Sequence, residues 1–135
     1  MGHEVENSLE LYKSTWILWS PSMETPVEVE KCCSSIDIVP TLANLFGLSY
    51  DSRLYMGKDA LSDSEGLVVF QDKSFITDRI IYHAADGTVT RLSEEELPEG
   101  YVENRKQVVK NRFAVSKGII DLDYYSYLPW ENLTN

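Results

Sequence analysis

Four short runs rich in β-branched and aromatic residues lie close together in residues 67–92, and this feature constrains the fold more than any other. The runs occupy residues 67–71, 74–77, 79–83 and 88–92. Strands that are adjacent in a sequence and separated by short turns usually pair with one another. The Asp86-Gly87 pair before the last run is typical of a hairpin turn, and Asp72-Lys73 supplies an earlier turn. We therefore predict a roughly four-stranded antiparallel meander.

A short helix is predicted upstream of this meander, in residues 34–47. Ser35 or Asp37 can cap its first turn, and Pro40 falls where a missing N–H costs little. Gly47 suits the left-handed residue that ends a helix. Four apolar residues share one helical face and are expected to pack on the sheet. They are Ile38, Leu42, Leu45 and Phe46.

A longer amphipathic helix is predicted downstream, from about residue 101 to residue 127. Its polar residues lie opposite a single stripe, and Gly118 marks the place where the helix is expected to break. The stripe consists of Val102, Val109, Phe113, Ser116, Ile120 and Tyr124. This helix is expected to cover one face of the antiparallel sheet and to close the fold.

The N-terminal part contains a compact apolar run, Thr15-Trp16-Ile17-Leu18-Trp19, which predicts a buried strand. Residues 27–30 alternate apolar and acidic side chains, as a half-exposed strand or extended arm would. Residues 49–59 are mixed and predict an ordered loop. The fold class is therefore α+β, with residues 1–135 as a single domain. Residues 15–66 are expected to end a core α/β part, and residues 67–128 to form the meander and its closing helix.

Composition excludes several classes of function. The chain has 135 residues and a net charge of -10, from 22 acidic and 12 basic residues, so a nucleic acid is not an expected partner. It has no apolar stretch of the roughly 20 residues that span a bilayer, and we expect a soluble domain. The adjacent cysteines, Cys32 and Cys33, are strained as a mutual disulfide and have no second pair with which to bind zinc.

Few residues are arranged for chemistry. Asp37 could bind a metal or cap its helix, and capping is the simpler interpretation. His83 ends a strand beside a turn and His3 lies in a polar N-terminal stretch, so both favour structural or surface roles. The acidic run of Glu94, Glu95 and Glu96 is interpreted as a solvated face. Tyr124, Tyr125, Tyr127 and Trp130 predict a tail docked on the body. We therefore assign no catalytic, cofactor-binding or metal-binding residue.

The upstream helix also carries a pattern known from a protein family. Asp37, Pro40 and Thr41 stand in the sequence Ile-Asp-Ile-Val-Pro-Thr-Leu, which Leu-Phe-Gly follows after two residues. This pattern resembles the late helix of the sulfatase and alkaline phosphatase superfamily. More narrowly, residues 15–128 resemble the C-terminal part of its lipoteichoic acid synthase-like, phosphoglycerol transferase branch. The other segments that carry the resemblance are residues 54–59, 68–78, 104–108 and 118–122.

This resemblance implies a structural C-terminal portion of a metal-dependent enzyme, which completes the fold of the parent and one wall of its active-site cleft. The nucleophile of the family, a threonine or a formylglycine, lies upstream with most metal ligands, so none maps onto this sequence. Cys32 and Cys33 also lack the proline and arginine of the sulfatase cysteine signature. The chain alone is expected to be inactive and to hold no cofactor, whereas the parent needs a divalent metal ion.

The resemblance further implies a partner and a location. The partner is the missing N-terminal catalytic half, and the parent is anchored in a membrane with this portion outside the cytoplasm. An alternative follows from the charge and the aromatic tail, namely a free-standing acidic module that binds a protein. An orphan domain of this kind could also form a homodimer through its exposed face.

Overall fold

The computed structural model describes residues 13–128, which contain two α-helices and one four-stranded antiparallel sheet. Each strand pairs antiparallel with the strand that follows it in the sequence. They are β1 (Leu67–Val69), β2 (Phe75–Thr77), β3 (Ile80–Tyr82) and β4 (Val89–Arg91). The α+β class and the four-stranded meander are thereby confirmed.

The turns of the meander are closed by the residues that the sequence singled out. Lys73 adopts a left-handed φ of 70°, and the carboxylate of Asp72 accepts hydrogen bonds from the Ser74 N–H at 2.9 Å and from its hydroxyl at 2.7 Å. In the later hairpin Gly87 has a φ of 75° and donates its N–H to the His83 carbonyl at 2.9 Å. Left-handed backbone of this kind favours glycine, which explains its place in the turn.

The long helix, α2 (Tyr101–Asp121), covers the sheet with its first half only. Its Tyr101 and Val109 join the buried core residues Leu67, Phe75 and Ile80, while Val102 and Phe113 pack against that core. The rest of the predicted stripe is not covered, since Ser116 is exposed and Ile120 is 75% exposed. Strands of three residues extend about 10 Å, whereas a 21-residue helix extends about 31 Å, so the helix outruns the sheet.

α2 ends at Asp121, before the predicted residue 127, and its break lies beyond Gly118. Gly118 remains helical, and its carbonyl accepts a hydrogen bond from the Leu122 N–H at 3.0 Å. The break comes at Asp123, which has a left-handed φ of 47°, and a 3-10 turn (Tyr124–Tyr127) follows. A left-handed residue cannot continue a right-handed helix, so the α-helical hydrogen bonds end there, whereas the backbone of Gly118 is not left-handed.

The short helix, α1 (Ile38–Leu45), begins with a 3-10 turn (Ser35–Asp37) and ends before Gly47, whose φ of 62° is left-handed as predicted. Its predicted core face was wrong. The buried residues are instead Pro40, Thr41 and Ala43. Leu45 and Phe46 are 47% and 68% exposed because α1 packs its other side on the loop around residues 57–60.

The predicted strand at residues 15–19 was also wrong. These residues have no strand assignment, Ile17 is 81% exposed and Trp19 is 78% exposed. Residues 27–30 likewise lie outside the sheet, with Val27 65% exposed. Strand formation needs a neighbouring strand to accept its backbone hydrogen bonds, and the meander does not extend to this segment. Between residues 13 and 128, no helix is long and apolar enough to cross a membrane.

Candidate functional site

Asp37 sits where α1 begins and holds the following loop to the helix. One carboxylate oxygen, Oδ2, accepts hydrogen bonds from the Ser34 N–H at 2.8 Å and from the Ser34 hydroxyl at 3.2 Å. The other, Oδ1, accepts the N–H of Lys58 at 2.8 Å, a residue that is 21 positions away. Asp37 therefore closes a capping box with Ser34 and also fixes the loop. The capping interpretation is confirmed, with Ser34 as the capping residue in place of Ser35.

Thr41 completes the same connection one helical turn later. Its hydroxyl donates to the Asp37 carbonyl at 2.6 Å and accepts the Ala60 N–H at 2.8 Å, and its side chain is almost fully buried. The loop comes so close that a Cβ on Gly57 would lie 2.0 Å from the carbonyl oxygen of Ile36. The spacing of Asp37 and Thr41 thus has a structural reason, because both fasten α1 against the loop that follows it, and Pro40 between them is buried.

Both carboxylate oxygens of Asp37 are engaged by the backbone. One accepts the Ser34 N–H and the other accepts the Lys58 N–H. Within residues 13–128, no group of three or more His, Cys, Asp or Glu side chains is placed to hold a metal ion. Asp37 is therefore described as a structural carboxylate.

A second carboxylate, Asp78, joins the N-terminal segment to the sheet, and sequence reasoning did not identify it. It accepts the Cys32 N–H and the Gly66 N–H, each at 2.8 Å. Burial raises the pKa of the Cys32 thiol to about 12, and the nearby Asp78 charge adds to this rise. A Cβ on Gly66 would lie 2.7 Å from Asp78 and 2.2 Å from the Cys32 carbonyl oxygen. The hydrogen bonds of Asp78 therefore hold the chain around Cys32 against the sheet, although this segment does not pair with a strand.

A third polar group joins the start of α2 to the sheet. The Tyr101 hydroxyl contacts Glu65 and hydrogen-bonds Thr77 at 2.9 Å. Glu65 also forms ion pairs with Arg105 at 3.2 Å and with Arg79 at 3.6 Å. Burial raises the pKa of the Tyr101 phenol to about 12, and the hydrogen bond with Glu65 adds to the effect. This group fixes the docking of α2 on the sheet.

The remaining candidate residues are not brought together. His83 closes the β3–β4 hairpin through its backbone. Glu94, Glu95 and Glu96 are exposed, and Glu95 forms an ion pair with Arg79 at 3.8 Å. The tyrosines of the predicted tail are not buried, since Tyr124, Tyr125 and Tyr127 are 42%, 45% and 78% exposed. His3 and Trp130 lie outside the described residues.

Two apolar surfaces are exposed instead of packed. We call the first the N-terminal apolar segment, which consists of Trp16, Ile17, Leu18 and Trp19. The second is the outer face of α1, which consists of Val39, Leu45, Phe46 and Leu48. Each of these side chains is between 41% and 81% exposed. Contiguous apolar surface of this kind marks contact sites in folded proteins.

Comparison of the chain with protein-family models, with curated proteins and with solved structures gave no match. The family resemblance therefore depends on the motif residues themselves. Their structural role at the junction of α1 and its loop is described above.

Proposed function

We propose that this chain is the structural C-terminal portion of a metal-dependent sulfatase or phosphoglycerol transferase-like enzyme. In this proposal it completes the fold of the parent and forms one wall of the active-site cleft. The N-terminal apolar segment is the observation that carries the proposal, because its sequence favours a strand while the described sheet offers it no neighbour.

The exposed surface of the chain supports the same proposal. Within residues 13–128, the apolar side chains of Trp19, Phe46 and Leu48 are each more than 60% exposed. A domain that folds against a larger partner leaves surface of this kind open when it is alone. The outer face of α1 lies next to the family motif, so the motif helix would present Leu45 and Phe46 to the missing half.

The chemistry would then lie upstream. In this proposal the N-terminal half supplies the nucleophile and a divalent metal ion, and it acts on a glycerophosphate, phosphate ester or sulfate ester. Upstream helices would anchor the parent in a membrane and leave this portion outside the cytoplasm. The residues described here would contribute shape and stability, since Asp37 and Thr41 are engaged in holding α1 to its loop.

The proposal is tested by reconstitution. The coding sequence upstream of this chain is read for an α/β half with a threonine nucleophile and an Asp-His metal pair, and that half is produced separately. With both halves and Mn²⁺ we expect phosphodiester hydrolysis and a shift of tryptophan emission to shorter wavelength. Replacement of Trp16 and Trp19 by alanine should weaken the association, whereas Val27→Ala, also on exposed N-terminal chain, is the control. Turnover by this chain alone, or halves that do not associate, would contradict the proposal.

A homodimer is the second candidate, and the uncovered end of α2 favours it. Val115, Ile120 and Leu122 are between 54% and 75% exposed where the helix extends past the sheet. Two copies of the chain would bury this surface if they paired through the ends of their α2 helices around a twofold axis. Sedimentation equilibrium distinguishes the candidates, because a dimer that Ile120→Asp converts to a monomer supports the second one.

A further inference from the structure

A cleft of about 530 Å³ lies between α1, the loop after it and the middle of α2. Pro40, Tyr50 and Tyr55 are among the residues that line it, and the two tyrosine rings meet edge to face at 5.2 Å. Lys58, Asp59 and Arg112 line both this cleft and a smaller adjoining recess, so its charged groups lie toward one side. The cleft thus has an aromatic side and a charged side with two cations and one carboxylate.

Neither cation of the cleft, the guanidinium of Arg112 or the ammonium of Lys58, makes a direct ion pair within residues 13–128, although the Asp37 charge acts on Arg112. Arg112 is half-buried, and this burial lowers the pKa of its guanidinium while the nearby Asp37 charge opposes the change. A guanidinium that has lost part of its hydration is stabilised by an acceptor that restores charge-assisted hydrogen bonds.

The acidic groups near the cleft are already engaged by neutral donors. Asp59 accepts the Asn44 amide at 2.7 Å through one oxygen and the Leu61 N–H at 2.8 Å through the other. Asp37 is engaged on both oxygens as well, by Ser34 and Lys58 N–H groups. The local carboxylates are therefore committed to the backbone and to a side-chain amide, whereas the cations keep their donors available.

We propose that this cleft binds a small organic molecule with an oxyanion head. The head lies between Arg112 and Lys58, and the body of the ligand lies against Tyr50 and Tyr55. Guanidinium and ammonium groups together are the usual partners of phosphate and carboxylate oxygens. This inference is independent of the proposed role of the chain in a larger enzyme.

The test is an NMR titration of the ¹⁵N-labelled, full 135-residue chain with four probes. Phenyl phosphate combines head and body, inorganic phosphate has only the head, benzyl alcohol has only the body, and benzoate replaces phosphate by carboxylate. We expect saturable shifts of the Lys58 and Arg112 amides with phenyl phosphate, and weaker binding of inorganic phosphate and benzyl alcohol. The affinity of benzoate relative to phenyl phosphate identifies the preferred head.

Substitutions then assign the binding to the cleft. Arg112→Gln should weaken phenyl phosphate binding about tenfold or more, because it removes charge-assisted hydrogen bonds. Lys110→Gln removes one charge from the exposed side of the same helix and should leave the affinity within about twofold. Lys58→Gln changes an exposed loop side chain and should also weaken phenyl phosphate binding. This variant provides the test if Arg112→Gln does not fold. Absence of saturable binding, equal affinities of the Arg112 and Lys110 variants, or an unaffected Lys58 variant overturns the proposal.

Discussion

The role of Asp37 leads to the sharpest prediction about stability. Asp37→Ala removes the carboxylate that accepts hydrogen bonds from the backbone of Ser34 and of Lys58, each at 2.8 Å. Loss of the hydrogen bond with Ser34 uncaps the start of α1. Loss of the hydrogen bond with Lys58 releases the loop that packs on this helix. One substitution therefore weakens both the helix start and the attachment of the loop.

The expected loss follows from these contacts. A hydrogen bond to a charged group contributes about 1.5–3 kcal/mol, and a helix cap contributes about 1 kcal/mol. Asp37 is only half-buried, so water replaces part of what is lost. We therefore expect Asp37→Ala to lower the free energy of unfolding by about 2–4 kcal/mol. Asp37→Asn keeps one acceptor and should lose about half as much.

Urea denaturation followed by circular dichroism measures this loss. With a slope of about 2 kcal/mol per molar urea, the midpoint should fall by about 1–2 M. Asp63→Ala is the matched control, because it removes the same charge from an exposed position of the same loop. If the Asp37 and Asp63 variants unfold at the same urea concentration, Asp37 does not hold this junction and the structural reading of the motif is wrong.

Three further predictions concern close packing and buried acids. Gly57→Ala should destabilise the fold by about 1–3 kcal/mol because its Cβ would lie 2.0 Å from a backbone oxygen, whereas Gly118→Ala, where a Cβ meets nothing, should be neutral or stabilising by thermal unfolding. At about pH 8 a thiol reagent should modify the exposed Cys33 well before the buried Cys32. Because folding raises the pKa of the Cys32 thiol and the Tyr101 phenol to about 12, their contribution to stability is complete below their unfolded values. It should be lost as the pH rises above about 9–10, and melting temperatures that stay constant through about pH 11 would contradict this.

The meander was predictable because its determinants are local. Turn chemistry at Asp72 and Gly87 acts between residues that are neighbours in the chain, and alternating β-branched residues fix the strands between these turns. The end of α1 at Gly47 is local in the same sense, since it needs only a residue that tolerates left-handed backbone. Such features do not depend on the rest of the fold.

The burial of the apolar residues was not predictable in the same way. A hydrophobic pattern states which side chains gain from burial, but it does not state whether a covering surface is present. Trp19 and Phe46 were expected in a core and are exposed, because the sheet ends before it reaches them. Ile120 is exposed for the related reason that its helix is longer than the strands it covers.

The polar connections also required the tertiary structure. Asp78 joins Cys32 to Gly66 across 46 and 12 positions of the sequence, and no local spacing signals such a contact. The charged side of the cleft likewise forms only because α2 places Arg112 beside the loop that contains Lys58. By itself the sequence determined the four-stranded meander, its turns and the end of α1 at Gly47, because these depend on near neighbours. Only the tertiary structure decided which carboxylates hold the fold and which cations stay unpaired, because those pairings depend on distances between segments far apart in the chain.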